Sequence, residues 1–258
     1  MYGVISMECY KDFAKIYDQL INCDIDYSDW AEFIMGICEE EGVEFSDYLD
    51  LACGTGNMAE QICGRFRESW LVDMSMDMLS EAESKLRARG AKAKFVCQDI
   101  TELNLNKKFD LITCCLDSTN YILKESDLLK YFTAVKGHLK DGGIFVFDIN
   151  SYYKLKEILG NNVYNYDDED VTYIWENSFS NDIVHMYLTF FVKEGELYRR
   201  FDEEHSERAY TSEKIESLIS KAGLQVIGLY DSYKPVTPDE ETERIVYVLK
   251  AEGGKQNG

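Results

Sequence analysis

Short apolar runs and amphipathic stretches alternate between residues 46 and 150. Tyr48, Leu49 and Leu51 supply the first run, and Trp70 to Val72 the second, closed by Asp73. Phe95 to Cys97 make the third, Phe109 to Cys115 the fourth and Gly143 to Asn150 the fifth. Runs of this length bounded by turn residues predict strands. The fourth is unbroken, as expected of a strand buried on both faces. A helix is predicted from about Asn57 to Phe66, between the first two strands. Strands alternating with helices in this way predict a doubly wound, mostly parallel sheet.

The flanks read differently. Before the first strand, Phe13, Ile16, Tyr17 and Leu20 share one face of a predicted helix. Trp30, Phe33, Ile34 and Ile37 do the same on a second. After residue 150, SYYKLKEIL predicts a helix, and VTYIWENSF, IVHMYLTFFVK and ELYRRFDEEHSERAY alternate with period two. Turns at Asn181-Asp182 and at Lys193 to Glu196 would fold these three into an antiparallel sheet over the carboxyl ends of the parallel strands. A helix over SEKIESLISKAGL, capped by Thr211 or Ser212, precedes two last strands, LQVIGLYDS and ERIVYVLKA. The expected organisation is a helical lid (1–45), an α/β core (46–150), an antiparallel insert (151–210), the rest of the core (211–250) and a disordered tail (251–258).

Composition narrows the functional classes. At 258 residues with 45% hydrophobic content, the chain can bury a sizeable core. A net charge of −21 repels phosphate backbones and disfavours a nucleic-acid partner. It suits a small molecule, including a cationic or amine-bearing one. No apolar run is long enough to cross a bilayer, and the first residues lack the basic start and apolar core of a signal peptide. The eight cysteines form no CxxC pair, which favours free thiols in a reducing cytoplasm. Neither they nor His138, His185 and His205 fall at metal-ligand spacing, so no metal site is expected.

The candidate chemistry sits at strand ends. YLDLACGTGN, residues 48–57, is a strand that turns through Gly54 and Gly56 into a helix, where a ligand can lie against bare backbone. Asp50 is a carboxylate near the end of a buried strand and calls for a bonding partner, such as an ammonium group on a ligand. Asp73 stands about twenty residues beyond the glycine turn, where an acidic residue meets ribose hydroxyls in nucleotide-binding α/β folds. Its alternative is a helix cap. Met74 and Met78 follow, and a thioether is an adaptable wall for an adenine ring. Asp99 and Ile100 close the third strand. Cys115 and Asp117, with Ser118 and Asn120, lie at the carboxyl end of the fourth, where open α/β sheets bind ligands.

The string DLACGTG resembles the first motif of class I S-adenosylmethionine (SAM) dependent methyltransferases. The resemblance is strong over residues 46–150 and looser outside. It implies a Rossmann-like methyltransferase fold with seven strands, the final strand inserted antiparallel beside the fifth. It implies SAM as cofactor, held by Asp50, Ala52, Cys53, Gly54 and Gly56, with Asp73 on the ribose, Asp99 on the adenine amino group and Ile100 against the ring. FAKIYD resembles the N-terminal lid of small-molecule methyltransferases, so Tyr10, Tyr17, Tyr27 and Trp30 are candidate lining rings. Aromatic faces attract sulfonium and ammonium cations, and packing alone is the alternative. EH-x-x-R-x-Y strings like that at 204–210 occur in relatives. They make His205 a candidate base, with Tyr17 beside it on the acceptor side. A structural pairing of Glu204, His205 and Arg208 is the alternative, because strands carry such ladders. The implied reaction is in-line transfer of a methyl group to a nitrogen or oxygen of a small molecule. An NAD-type oxidoreductase and a non-catalytic SAM-binding module are the competing readings. Asp50, Asp99 and the lack of a hydride-site signature weigh against the first.

Overall fold

The computed structural model describes residues 25–252. Helix α1 spans Tyr27–Glu40, and Asp26 caps it by accepting hydrogen bonds from the amides of Ser28 and Asp29. Its buried side is Ala31, Ile34, Met35, Ile37 and Cys38. Trp30 and Phe33 are half-buried rather than fully inward, because they meet aromatic rings of the C-terminal segment at the helix edge. The core then alternates as its hydrophobic pattern predicts: β1 Asp47–Leu51, α2 Asn57–Ile62, β2 Glu68–Asp73, α3 Met76–Ala88, β3 Lys94–Cys97, β4 Phe109–Cys114, α4 Glu125–His138 and β5 Leu139–Asn150. Helix α2 is shorter than predicted. It gives way to a single 3-10 turn over Cys63–Arg65, so the element stops before Phe66.

Chain order continues with a π-helical segment over Lys154–Leu159, then β6 Val163–Asp167, β7 Val171–Ser180, β8 Ile183–Glu194 and β9 Leu197–Arg208. Helix α5 covers Ser212–Lys221, capped by Thr211, and β10 Leu224–Asp231 and β11 Arg244–Ala251 close the fold. The main sheet has seven strands in the order β10-β11-β5-β4-β1-β2-β3. β11 runs antiparallel to both β10 and β5, and the other pairs are parallel. Ordered structure reaches past residue 250, since the Glu252 amide donates to the Gly223 carbonyl.

Strand residues alternate between two apolar layers. Leu49, Leu51, Ile112, Phe145 and Phe147 pack toward α4 and α5. Tyr48, Leu71, Leu111, Ile144 and Val146 pack toward α1, α2 and α3. Burying each such side chain contributes roughly 1.5–3 kcal/mol, so the two layers fix the sheet on both faces.

A second sheet, antiparallel, has the order β6-β7-β8-β9. Its first strand was not expected, because Val163–Asp167 carries charge and exposed positions and shows no clean apolar face. Asn181 and Asp182 both take positive φ, 53° and 59°, and make the two-residue turn that matches hairpin twist. One buried residue joins the two sheets. Asn120 donates to the carbonyls of Asn150 (3.1 Å) and Arg208 (3.0 Å) and accepts from the Asn150 amide (3.0 Å). The ends of β5 and β9 are thereby held together above the carboxyl edge of the parallel strands. No helix among the described residues is long and apolar enough to cross a membrane.

Candidate functional site

The glycine turn lies where β1 feeds α2. Gly54 and Gly56 have φ of 53° and 80°, and their roles differ. A Cβ on Gly56 would stand 3.1 Å from Ala82 Cβ and 3.3 Å from Leu86 Cδ1, so this glycine lets α2 lie close against α3. A Cβ on Gly54 would meet open space, so nothing in the protein crowds the backbone at this glycine. Ala52 also sits at positive φ, 49°, inside the same turn. The Cys53 thiol points to the Gly54 carbonyl, and burial pushes its pKa well up, so it stays protonated and is no nucleophile.

Asp50 is 2% exposed. Its Oδ1 accepts from the Thr113 hydroxyl at 2.7 Å, which in turn contacts the Tyr48 hydroxyl at 2.8 Å. Its Oδ2 is buried with no hydrogen-bond partner. Burial pushes the carboxyl up to about 7; the Thr113 bond opposes this and the charge of Asp73 adds to it. A buried carboxylate oxygen with no donor is costly and marks a place where a donor belongs.

Asp73 closes β2. Its Oδ2 accepts from the Gly54 amide and its Oδ1 from the Ser75 amide, both at 2.8 Å. It therefore ties the glycine turn to the start of α3. The helix cap itself is Ser75, whose hydroxyl accepts from the Met78 amide. Asp73 is only 9% exposed, and burial raises its pKa against these two amides. Beside it Met74 is exposed, while Met78 is buried against the core. Asp99 stands exposed at the end of β3 and caps the turn Ile100–Glu102 through the Thr101 amide and hydroxyl, both at 2.8 Å. Ile100 is half-buried against the core. The carboxylates of the first three strand ends thus lie along one edge of the sheet.

The next stretch of that edge is strained and charged. Leu116 and Asp117 follow β4 with φ of 61° and 49°, unusual for non-glycine residues and costing of order 1–3 kcal/mol each. Asp148 of β5 holds them in place, accepting from the Leu116 amide (2.8 Å) and the Asp117 amide (2.7 Å). Asp148 also accepts from the Tyr233 hydroxyl and from Arg244. Arg244 bridges to Asp117 at 2.7 Å, and Asp148 and Asp117 keep its guanidinium charged against the cost of burial. Trp30 stacks on Tyr233 with centroids 4.1 Å apart, and Arg244 sits over the Trp30 ring at 5.4 Å. Tyr27 meets Trp30 edge-on. Asp117, expected among cofactor contacts, is thus one arm of a buried ion-pair network, and Cys115 beside it is a buried thiol whose pKa burial drives up.

The antiparallel sheet presents one face of β9 to this edge. His205 and Glu203 share it, as the strand period requires, and so does Glu207. The His205 ring meets Tyr121 edge-on at 6.0 Å, and burial lowers its pKa while Asp117 opposes the shift. Arg208 turns the other way, donating to the Leu123 carbonyl at 2.9 Å and pairing with Glu125 at 3.6 Å, so it takes no part in the alternative pairing with Glu204 and His205. Glu207, not singled out in the sequence, accepts from Asn150 Nδ2 at 2.8 Å. Burial pushes its carboxyl up to about 8, with Asp117 adding to the shift. Tyr10 and Tyr17 lie outside the described residues.

A mostly parallel sheet with a glycine turn and a row of strand-end carboxylates defines a nucleotide-cofactor enzyme of the doubly wound class. Comparison with known proteins specifies it. Residues 49–143 match the family model of a methyltransferase domain. The chain is 32% identical over 242 residues to YqeM of Bacillus subtilis (strain 168), which carries a methyltransferase name without a named substrate; the match covers 92% of this chain and 95% of that one. A crystal structure of a SAM-dependent methyltransferase from Clostridium acetobutylicum ATCC 824 is 56% identical, with a TM-score of 0.90, and the match covers 95% of this chain and all of that one. A dTDP-3-amino-3,4,6-trideoxy-alpha-D-glucopyranose N,N-dimethyltransferase of Streptomyces venezuelae is 28% identical over 138 residues, 53% of this chain and 56% of that one. The chain belongs to the SAM-dependent methyltransferases. Its cofactor is SAM, and nothing in these matches supports a nicotinamide reading of the glycine turn. The residues present fit the cofactor on two observations: the orphaned, buried Asp50 Oδ2 calls for a donor, and the space over Gly54 is open.

Proposed function

We propose that this methyltransferase acts on a nitrogen or oxygen nucleophile of a small molecule, bound between the carboxyl ends of β4 and β5 and the inward face of β9. The observation that carries the reading is the packing of His205 and Glu207 against Tyr121 and Asn150, at the edge that also holds the glycine turn. We assign the cofactor's ammonium to Asp50, its backbone-facing side to Ala52–Gly56, its ribose to Asp73 and its adenine to Asp99 and Ile100 beside Met74 and Met78. Each oxygen of Asp73 accepts one amide and keeps a lone pair for a hydroxyl. Cys115 and Asp117 then border the cofactor on the acceptor side. When bound, SAM supplies an already activated methyl group.

The protein's own task is orientation and exclusion of water. Held nucleophiles gain up to roughly 7–11 kcal/mol over free encounter in favourable cases. The Asn120 clamp fixes β9 against β5, so the inward side chains of both strands keep one geometry. His205 is held neutral by burial and stands in reach of a proton on the acceptor side; Tyr17 is its expected companion from the lid. The negative charge of the chain supports a small acceptor over a nucleic acid, and the aminosugar-nucleotide relative supports an amine as one candidate. A cytoplasmic location is part of the same proposal.

The test is S-adenosylhomocysteine release across a panel of small amines and hydroxyl compounds, with wild type and His205→Ala. Turnover on a small molecule that falls in the variant, with S-adenosylhomocysteine affinity kept, is expected. Turnover confined to RNA or protein substrates would overturn the reading.

A further inference from the structure

The end of β5 and the inward face of β9 make a corner rich in acceptor atoms. Asn150 is 4% exposed and Glu207 is 3% exposed. Asn150 Nδ2 donates to Glu207 Oε2 at 2.8 Å, which fixes the amide with its oxygen the other way. That oxygen, Asn150 Oδ1, is buried and has no partner. The backbone of Asn150 is pinned by Asn120, so the amide cannot drift to find one. Arg244, in register with Asn150 on β11, spends its guanidinium on Asp117 and Asp148.

A buried carbonyl oxygen without a donor is costly and persists in native proteins only for a reason. Beside a carboxylate, the missing group must donate more than one hydrogen and tolerate or carry positive charge. A primary or secondary ammonium does both. A hydroxyl offers one hydrogen and cannot satisfy the carboxylate and the amide oxygen together.

We propose that Glu207 is a catalytic residue of this methyltransferase: with Asn150 Oδ1 it seats the ammonium group of an amine acceptor and takes its proton. The proposal rests on the small-molecule reading above and narrows it to amines. The steps balance. Glu207 carboxylate and R–NH3+ become Glu207 carboxylic acid and R–NH2, freeing the nitrogen lone pair. The new N–C bond to the methyl carbon forms as the S–C bond breaks, its electron pair staying on sulfur; the product leaves as the methylated ammonium, and Glu207 carboxylic acid then releases its proton to solvent and returns to the carboxylate.

The environment suits the step. An ordinary Glu titrates near ~4.3 and a lysine-like amine near ~10.4, a mismatch that leaves little free amine. Burial and Asp117 push Glu207 up, while Asn150, Lys154 of the π-helical segment and Arg244 of β11 restrain it, and the value settles at about 8. A base whose affinity for protons approaches that of the amine transfers a proton with little penalty. Val184, its cross-strand neighbour on β8, contributes no charge.

The experiment uses the full chain with SAM. S-adenosylhomocysteine release is measured on 3-amino-3-deoxyglucose, putrescine and glycine, and on glucose, 1,4-butanediol and glycolate as hydroxyl counterparts. Glu207→Gln keeps an oxygen for the Asn150 bond and removes the base. Expected are turnover in the amine arm only, a fall of at least about 100-fold in the variant, and unchanged S-adenosylhomocysteine affinity and Tm. The acid limb of the wild-type pH profile should be lost in the variant. A hydroxyl-arm turnover that survives Glu207→Gln overturns this inference and leaves the small-molecule reading standing. Amine turnover retained within a few-fold overturns it too. If neither arm turns over, methylammonium titration of the S-adenosylhomocysteine complex decides, read on the 13C-carboxyl signal that Glu207→Gln removes. A shift of that signal supports the seat. No shift overturns this inference, while the small-molecule reading falls only to turnover confined to RNA or protein.

Discussion

Arg244 and Asp148 form a buried ion pair across two antiparallel neighbours, β11 and β5, near the carboxyl end of β5. Asp148 is fully buried and collects four donors: two backbone amides, the Tyr233 hydroxyl and the Arg244 guanidinium. Two of those amides belong to the strained residues Leu116 and Asp117, so the pair holds the backbone that borders the site.

Removing one partner leaves the other as an uncompensated buried charge. Arg244→Met is expected to destabilise the protein by about 3–5 kcal/mol. The double variant Arg244→Met, Asp148→Asn should recover part of that loss, because the fully buried charge is removed and only the less buried Asp117 is left without its cation. Urea unfolding midpoints measure both. Equal stability of Arg244→Met and wild type would show that Asp117 and Asp148 are solvated after all.

Asp73 serves the fold and, in the proposed reading, the cofactor's ribose. Asp73→Ala should weaken S-adenosylhomocysteine binding by about 1.5–3 kcal/mol through lost charge-assisted hydrogen bonds. Asp73 is also buried and accepts from the Gly54 and Ser75 amides, so it does not stand in a solvated cleft. Ligand-free stability should also fall, by about 1–3 kcal/mol, since two amides lose their acceptor. Calorimetry and thermal melts separate the two effects.

The parts of the site legible in the sequence are those made within one strand–turn–helix unit. Asp50, Gly54, Gly56, Asp73 and Asp99 each end an apolar run or follow it, and such a residue has a local signature. Asp148 also closes an apolar run, but its meaning depends on Arg244 and Tyr233, which are 96 and 85 residues away in sequence. No local pattern announces that pairing. Glu207 was within reach: period two puts it on the same face as His205. His205 stands out in the sequence by the usual pKa of histidine, whereas what burial does to a carboxyl such as Glu207 has no local signature. Strand β6 lacks a sequence signature because Asn165 and Asp167 are polar or charged and four of its five residues are exposed, and an edge strand needs no apolar alternation.

Gly54 and Gly56 should fail differently. Gly56→Ala drives a Cβ to 3.1 Å from Ala82 Cβ at a φ of 80°, so the Tm should drop, equivalent to about 1–3 kcal/mol. Gly54→Ala places its Cβ in open space and adds only left-handed strain, about 1 kcal/mol, as Ala52 already tolerates nearby. Its main effect should be loss of S-adenosylhomocysteine binding, because the methyl group fills the ligand's approach. A Gly54→Ala variant that melts low yet binds normally would move the cofactor off this turn.

Asp50 sets a pH dependence whose direction follows from its burial. Its carboxyl titrates near 7 in the folded protein and near ~3.9 when unfolded. The folded state therefore holds a proton that the unfolded chain has released between those values. Stability from this group is fully present below the unfolded value and is lost as pH rises through the folded one, by up to ~4 kcal/mol in total at 1.36 kcal/mol per pH unit. Ligand-free protein should thus lose Tm between pH 5 and pH 8, and Asp50→Asn should flatten that slope. A ligand ammonium would supply the donor that Asp50 Oδ2 lacks and favour the charged form. S-adenosylhomocysteine should accordingly raise the Tm more at pH 8 than at pH 5.5, and much less so in Asp50→Asn. Equal ligand-induced shifts at both pH values in wild type would remove Asp50 from the cofactor's ammonium and leave its burial without a functional reason.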